Sequence, residues 1–351
     1  MPAWAQIETA EDAARATNAK VVDLVASDNR TCARLRDGTW TCWGEALLGD
    51  AGAVASYPRE LRYLVPKASG CGVAQAGDVV CWGSWGDGTS RPTRIDAQRG
   101  ARVIGLADDR LCIGTSDNHV FCRRRKSAWQ PLPYDDVVRL GVADNRVGLV
   151  RHGHQLTLVQ YARDSDVSKA RDIGLPARTI VFGADTSYVV TRDYRGVAIP
   201  DGGEPQGLPG LPNAVHIGAD PSARHVCATD KGGTVRCSGQ NQAGQLGTGD
   251  TANRASFELV PGIAGAQRVA VGAFHTCALT TTGEVFCWGA NDAGQLGVKL
   301  AEPEPAAPKG RQKGSFTRAN VGESPRASLC TIAKKTAPVQ CALSPVQVAV
   351  P

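Results

Sequence analysis

The sequence predicts an all-β chain assembled from repeated antiparallel units, and three observations predict it. First, twelve cysteines fall into six pairs at almost one spacing: Cys32 and Cys42, Cys71 and Cys81, Cys112 and Cys122, Cys227 and Cys237, and Cys277 and Cys287 are ten residues apart, and Cys330 and Cys341 eleven. Second, the residues inside a pair read as a hairpin, as in Cys277-Ala-Leu-Thr-Thr-Thr-Gly283-Glu-Val-Phe-Cys287, with glycine where a three-residue loop needs a left-handed residue. Third, the hairpins recur about every forty residues, each preceded by a Val/Ile-rich strand and followed by a Gly-rich turn and a last short strand such as Ser256–Val260.

In the first unit, Leu35 and Thr39 close the loop Arg36-Asp37-Gly38, and counting back along both strands sets Cys32 opposite Cys42, within disulfide reach. The other pairs repeat this frame, so one cross-strand disulfide is expected in each hairpin. Zinc is the rival reading of clustered cysteines, but no pair has the two-to-four-residue separation of a zinc knuckle. Two further units keep the frame without cysteine: Gly148 and Leu158 stand in the cysteine positions of one, Val189 and Ile199 in those of the other. Eight hairpins result, starting at residues 32, 71, 112, 148, 189, 227, 277 and 330. Four short strands per unit of about forty residues is the pattern of a β-propeller blade.

With 351 residues and 42% apolar content the chain can bury a substantial core. Residues 21–351 are expected to form a single propeller domain, with divergent blades about 100–206, behind an N-terminal segment 1–20. Trp4–Ile7 and Val346–Val350 both read as short strands, either of which would complete the last blade by pairing with the opposite end of the chain. Six disulfides require an oxidising compartment, so a secreted, periplasmic or cell-surface protein is expected. Met1–Lys20 has no apolar leader core and no stretch approaches a membrane span, which predicts a mature chain written without its leader.

The residues after the second cysteine are more specific. Cys287-Trp288-Gly289-Ala-Asn291-Asp-Ala-Gly294-Gln295-Leu296-Gly297 and Ser238-Gly239-Gln-Asn241-Gln-Ala-Gly244-Gln245-Leu246-Gly247 resemble the repeats of the regulator-of-chromosome-condensation family. Units one and two match in part, through Trp43-Gly44 and Trp82-Gly83; units three to five and eight keep only the spacing. The resemblance implies a ring of seven blades, against eight hairpins counted, and a bacterial-type, secreted, disulfide-rich member. It also implies a binding module, since the family includes chromatin-bound nucleotide-exchange factors and a secreted propeller inhibitor of β-lactamases. Nucleotide exchange does not carry over, because disulfides place the chain away from small GTPases.

No nucleophile elbow, phosphate loop or metalloprotease motif occurs, and neither catalytic residue nor cofactor is assigned. His225 and His275 precede a first cysteine by two residues, a slot that holds Arg30, Arg110 and Arg146 elsewhere, so they read as structural. His152 and His154 share a hairpin tip and would chelate a metal only with a third ligand. Trp43, Trp82 and Trp288 should pack between blades. Trp85 and Trp129 fall outside that frame and are expected on exposed loops, as a contact surface. Residues 91–126 carry nine basic against four acidic residues, centred on Arg123, Arg124, Arg125 and Lys126. These six residues are the candidate binding site, for a protein or surface polysaccharide rather than nucleic acid. The expected function is a non-enzymatic macromolecule-binding scaffold; a propeller-type lyase or glycan hydrolase with a polar cluster of displaced pKa at the channel, or a structural surface component, are the alternatives.

Overall fold

The computed structural model describes residues 21–45, 55–57, 61–67, 69–88, 92–95, 100–125, 127–161, 168–300, 328–332 and 338–350. The protein is all-β, built of antiparallel sheets in chain order. Unit one pairs Val21–Ser27, Arg30–Leu35, Trp40–Gly44 and Ala55–Tyr57; units two, three and six repeat this four-stranded meander from Leu61, Ala101 and Ala214. Units four and five share one strand, Ser168–Phe182, whose first half pairs with Gln155–Tyr161 and whose second half pairs with Thr186–Thr191. Gly174, at φ +70°, and Pro176 mark the bend between the halves.

The predicted hairpin register holds. Leu35 N–H donates to Thr39 O at 2.8 Å around Gly38, whose φ is +91°, and Cys32 lies directly opposite Cys42. The same rung places Cys71 opposite Cys81, Cys112 opposite Cys122, Cys227 opposite Cys237 and Cys277 opposite Cys287. All six predicted disulfides form, and these five ten-residue pairs hold their Cα atoms 4.0–4.1 Å apart. Gly148 faces Leu158, as expected. In unit five the frame is one residue earlier than predicted: Thr191 and Arg195 close the loop, so Tyr188 and Ala198 hold the cysteine positions. The apolar run Val189–Val190 hid that offset, because either residue fits a buried strand.

The eighth hairpin is not a blade. Val339–Val348 pairs with Val285–Ala290 as the fourth strand of unit seven, and Ser328–Cys330 adds to its edge. Cys330 and Cys341 are therefore diagonal rather than opposite, at a Cα separation of 6.1 Å. At the C-terminus, Val346 pairs with Cys287, so this strand completes the last blade within its own unit. The candidate strand at residues 4–7 lies outside the described residues.

Seven four-stranded units thus stand among the described residues, and each seam between neighbours has its own apolar cluster. Leu24 and Trp43 of unit one pack with Leu279 and Leu296 of unit seven, which closes the ring by contact of sheet faces. Burial of the inner strands is near complete, as in Arg110–Thr115 and His275–Thr280. Among the described residues no helix is long and apolar enough to cross a membrane.

Candidate binding face

Strand direction alternates within every unit, so the turn after the first strand and the loop after the third lie at one end of the ring. That end carries five of the six predicted binding residues, and its chemistry follows from how the seams are plugged. In unit seven the indole Nε1 of Trp288 donates to Gln245 O of unit six at 2.9 Å, and Thr276 Oγ1 donates to the same carbonyl at 2.9 Å. Trp43 and Thr31 of unit one grip Gln295 O of unit seven in the same way, at 3.1 and 3.0 Å. A Cβ on Gly247 or Gly297 would stand 2.8 Å from the facing indole, which is why Gly-Gln-Leu-Gly ends in glycine.

The histidine slot is a latch between units, as its recurrence implied. Because Thr31 and Thr276 spend their protons on those carbonyls, His275 and His225 donate Nε2–H to the threonine oxygens, at 2.8 and 2.9 Å. Full burial pushes the pKa of both down to about 3, which keeps them neutral. Arg146 uses the slot to donate to Gly183 O and Ala184 O of unit five, both at 3.0 Å, and pairs with Asp201.

The tryptophan slot itself varies around the ring: Trp43, Trp82, Arg123, Val159, Ile199, Ser238 and Trp288 occupy it in units one to seven. An arginine cannot plug a dry seam, and this corrects the expectation for the two out-of-frame tryptophans. Trp85, 5% exposed, packs from unit two against Ala101, Leu106 and Ile113 of unit three, with Trp129 partly buried beside it. They fill the seam instead of forming an exposed contact surface. The arginines lie over them: Arg123 Cζ is 5.5 Å from the Trp129 ring centre, Arg125 Cζ is 5.6 Å from that of Trp85, and Arg124 binds Asp109 at 2.7 Å. The structure thus brings five of the six predicted residues together; Lys126 lies outside the described residues. His154 Nδ1 lies 3.0 Å from Ala177 O, and among the described residues no three His, Cys, Asp or Glu side chains group as a metal site requires.

Sequence reasoning missed an axial network at the same end. Lys67 Nζ lies 2.7 Å from Asp108 and 3.8 Å from Asp28, while Ser27 Oγ of unit one donates to Asp220 Oδ2 of unit six at 2.7 Å. Unit seven stands between those two units, and its own turn is Gly272-Ala273, small enough for them to meet. Burial raises the Asp220 carboxyl pKa, and the nearby Asp28 charge adds to it. Burial pulls the Lys67 ammonium down, but Asp28 and Asp108 outweigh it and the pKa is raised. The legible signal was Asp recurring in the turn after the first strand: Asp28, Asp108, Asp144, Asp185 and Asp220. Lys67→Ala is expected to destabilise the protein by about 2–3 kcal/mol, below the cost of breaking a dry pair because Asp28 and Asp108 reach solvent. Adding Asp220→Asn should recover part of that loss in urea unfolding, and strict additivity of the two changes would deny the coupling.

The fold and this plugging pattern define a β-propeller. The family model described as Regulator of chromosome condensation (RCC1) repeat matches residues 233–279 and 267–295, so units six and seven of this propeller carry repeats of that type. Human WBSCR16 is similar in structure at a TM-score of 0.54 and 13% identity, over 80% of each chain. Hsv2p of Kluyveromyces lactis gives 0.52 and 10%, over 79% of this chain and 96% of that one. PorZ of Porphyromonas gingivalis, a bacterial surface component of the type-IX secretion system, gives 0.52 and 12%, over 77% of this chain and 37% of that one. These likenesses establish the fold. No curated protein matches the chain in sequence.

Proposed function

We propose that residues 21–351 act as one non-enzymatic, macromolecule-binding propeller of an oxidising compartment, secreted, periplasmic or at the cell surface, holding a protein or surface-glycan partner on the loop-bearing end. The observation that carries this reading is the arginine layer: Arg123 and Arg125 are held on the faces of Trp129 and Trp85, ordered cations on a rigid seam. The six disulfides support the compartment.

An enzyme reading has one observation in its favour, the buried Asp220 with its raised pKa at the ring axis. Both of its oxygens are already engaged, Oδ2 by Ser27 and Oδ1 by Ser222, and Lys67 is held by Asp108, so the network works within the fold. Oxidised protein used as bait on secreted and envelope fractions, beside the triple variant Arg123→Ala, Arg124→Ala and Arg125→Ala, tests the binding reading. Capture should fall about ten-fold, equivalent to about 1.4 kcal/mol. The melting temperature should fall by no more than about 3 °C, since one surface ion pair and two cation–π contacts are lost. Undiminished capture would refute the placement.

A further inference from the structure

We propose that the seam between units five and six is a saccharide-binding cleft that takes a neutral, hydroxyl-rich ligand. This deepens the binding reading, on which it rests, by assigning a ligand class to a second part of the same end. The cleft exists because the seam lacks its plug. Ser238 occupies the slot that Trp288 fills in the next unit, and Tyr188 stands where other hairpins have a disulfide. A space of about 500 Å³ opens there, within the range of small-ligand clefts.

Its lining has the chemistry of sugar recognition. Tyr188 is partly buried and offers an aromatic surface on which the C–H face of a pyranose can pack. Around it stand planar polar groups suited to hydroxyls: Asp185, Arg224, Gln240 and Asn253. The side-chain amide of Gln240 makes no hydrogen bond among the described residues, while Asn253 spends Oδ1 on Asn241 N–H at 2.8 Å and keeps its own amide protons. The charges balance. Asp185 and Arg224 face each other at 3.9 Å, and Arg254 is engaged by Asp250 and Glu258 at 2.6 and 2.7 Å. A strongly charged ligand would find no uncompensated counter-charge in the cleft, whereas a neutral polyol can pair with donors and acceptors alike. With the carboxylate of Asp185 paired to Arg224 and no second acid among the described residues that line the cleft, the arrangement suits binding rather than hydrolysis.

Saturation-transfer NMR on the oxidised full chain, with cellotriose, maltotriose, chitotriose and mannotriose as probes and trigalacturonate as the charged comparator, tests this. At least one neutral trisaccharide should bind with a Kd of about 1 mM or tighter. Gln240→Ala should weaken it about ten-fold, since the lost hydrogen bonds are made only to the ligand. Ser238→Trp, which restores the seam plug, should abolish binding. The triple variant at Arg123, Arg124 and Arg125 should bind sugar unchanged, so failure of the arginine face and failure of this cleft give different patterns. Absence of binding by all four neutral sugars, preference for trigalacturonate, or indifference to Gln240→Ala would each overturn the proposal. If Ser238→Trp does not fold, the substitution of the partly exposed Gln240 decides it.

Discussion

Trp288→Ala is expected to destabilise the protein by about 3–5 kcal/mol, the cost of emptying a fully buried tryptophan site that cannot collapse. Trp288 is 0% exposed and packs against Leu246 and Val260 of unit six, so its loss leaves a void bounded by two separate sheets. The Gln245 carbonyl is not orphaned, because Thr276 also donates to it. The loss is therefore mainly one of packing. Trp288→Phe should recover most of it but forfeit the indole bond, about 1 kcal/mol. Trp85→Phe should escape that extra term, because Trp85 Nε1 is buried without a hydrogen-bond partner among the described residues. Urea unfolding at unchanged m-value gives the comparison; a Trp288→Ala protein within about 1 kcal/mol of the parent would deny the seam its role.

The second large effect is acid sensitivity. His225 and His275 are fully buried and His216 is partly buried, and desolvation is the leading cause that pushes each pKa down to about 3. Between pH 6.5 and about 3 the unfolded chain binds protons that the folded chain refuses. The stability lent by these histidines is whole above pH 6.5 and is lost as pH falls below it. From pH 7 to pH 5 linkage gives up to about 2 kcal/mol per histidine, so a fall of up to about 6 kcal/mol is expected from the three. Asp220 acts with the opposite sign. Its raised pKa lets the folded state take up a proton before the unfolded one, which returns some stability as pH falls toward 3.8. Urea unfolding at pH 7 and 5 measures the sum. The double variant His225→Gln and His275→Gln should lose about two thirds of the slope, and an unchanged slope would place the proton uptake elsewhere.

Much of this molecule was legible because local rules repeat in it. A glycine at one offset between two cysteines, or Asn118 in unit three, fixes a three-residue loop, and the loop fixes which residues face each other; that is why five disulfides could be paired from spacing. The latch role of His225 and His275 followed from position alone, since a slot recurring once per unit must do a per-unit job. Unit five went astray by one residue because, without cysteine, nothing local marks which of Tyr188 and Val189 takes the rung. The eighth hairpin stayed open between an eighth blade and an added element because a hairpin looks the same whether a new sheet or an old edge receives it.

Sequence by itself determined the all-β class, the register of the cysteine hairpins and the disulfides, since each depends on residues within about a dozen positions of one another. Tertiary structure alone decided that seven units stand in the ring among the described residues, that Trp85 lies buried under Arg125 and Trp129 partly buried under Arg123, and that Ser27 meets Asp220 across the axis. It also decided which seams are plugged and which are open. Those outcomes depend on how much volume one unit offers and its neighbour fills. That is a property of two surfaces distant in sequence, and no single repeat contains it.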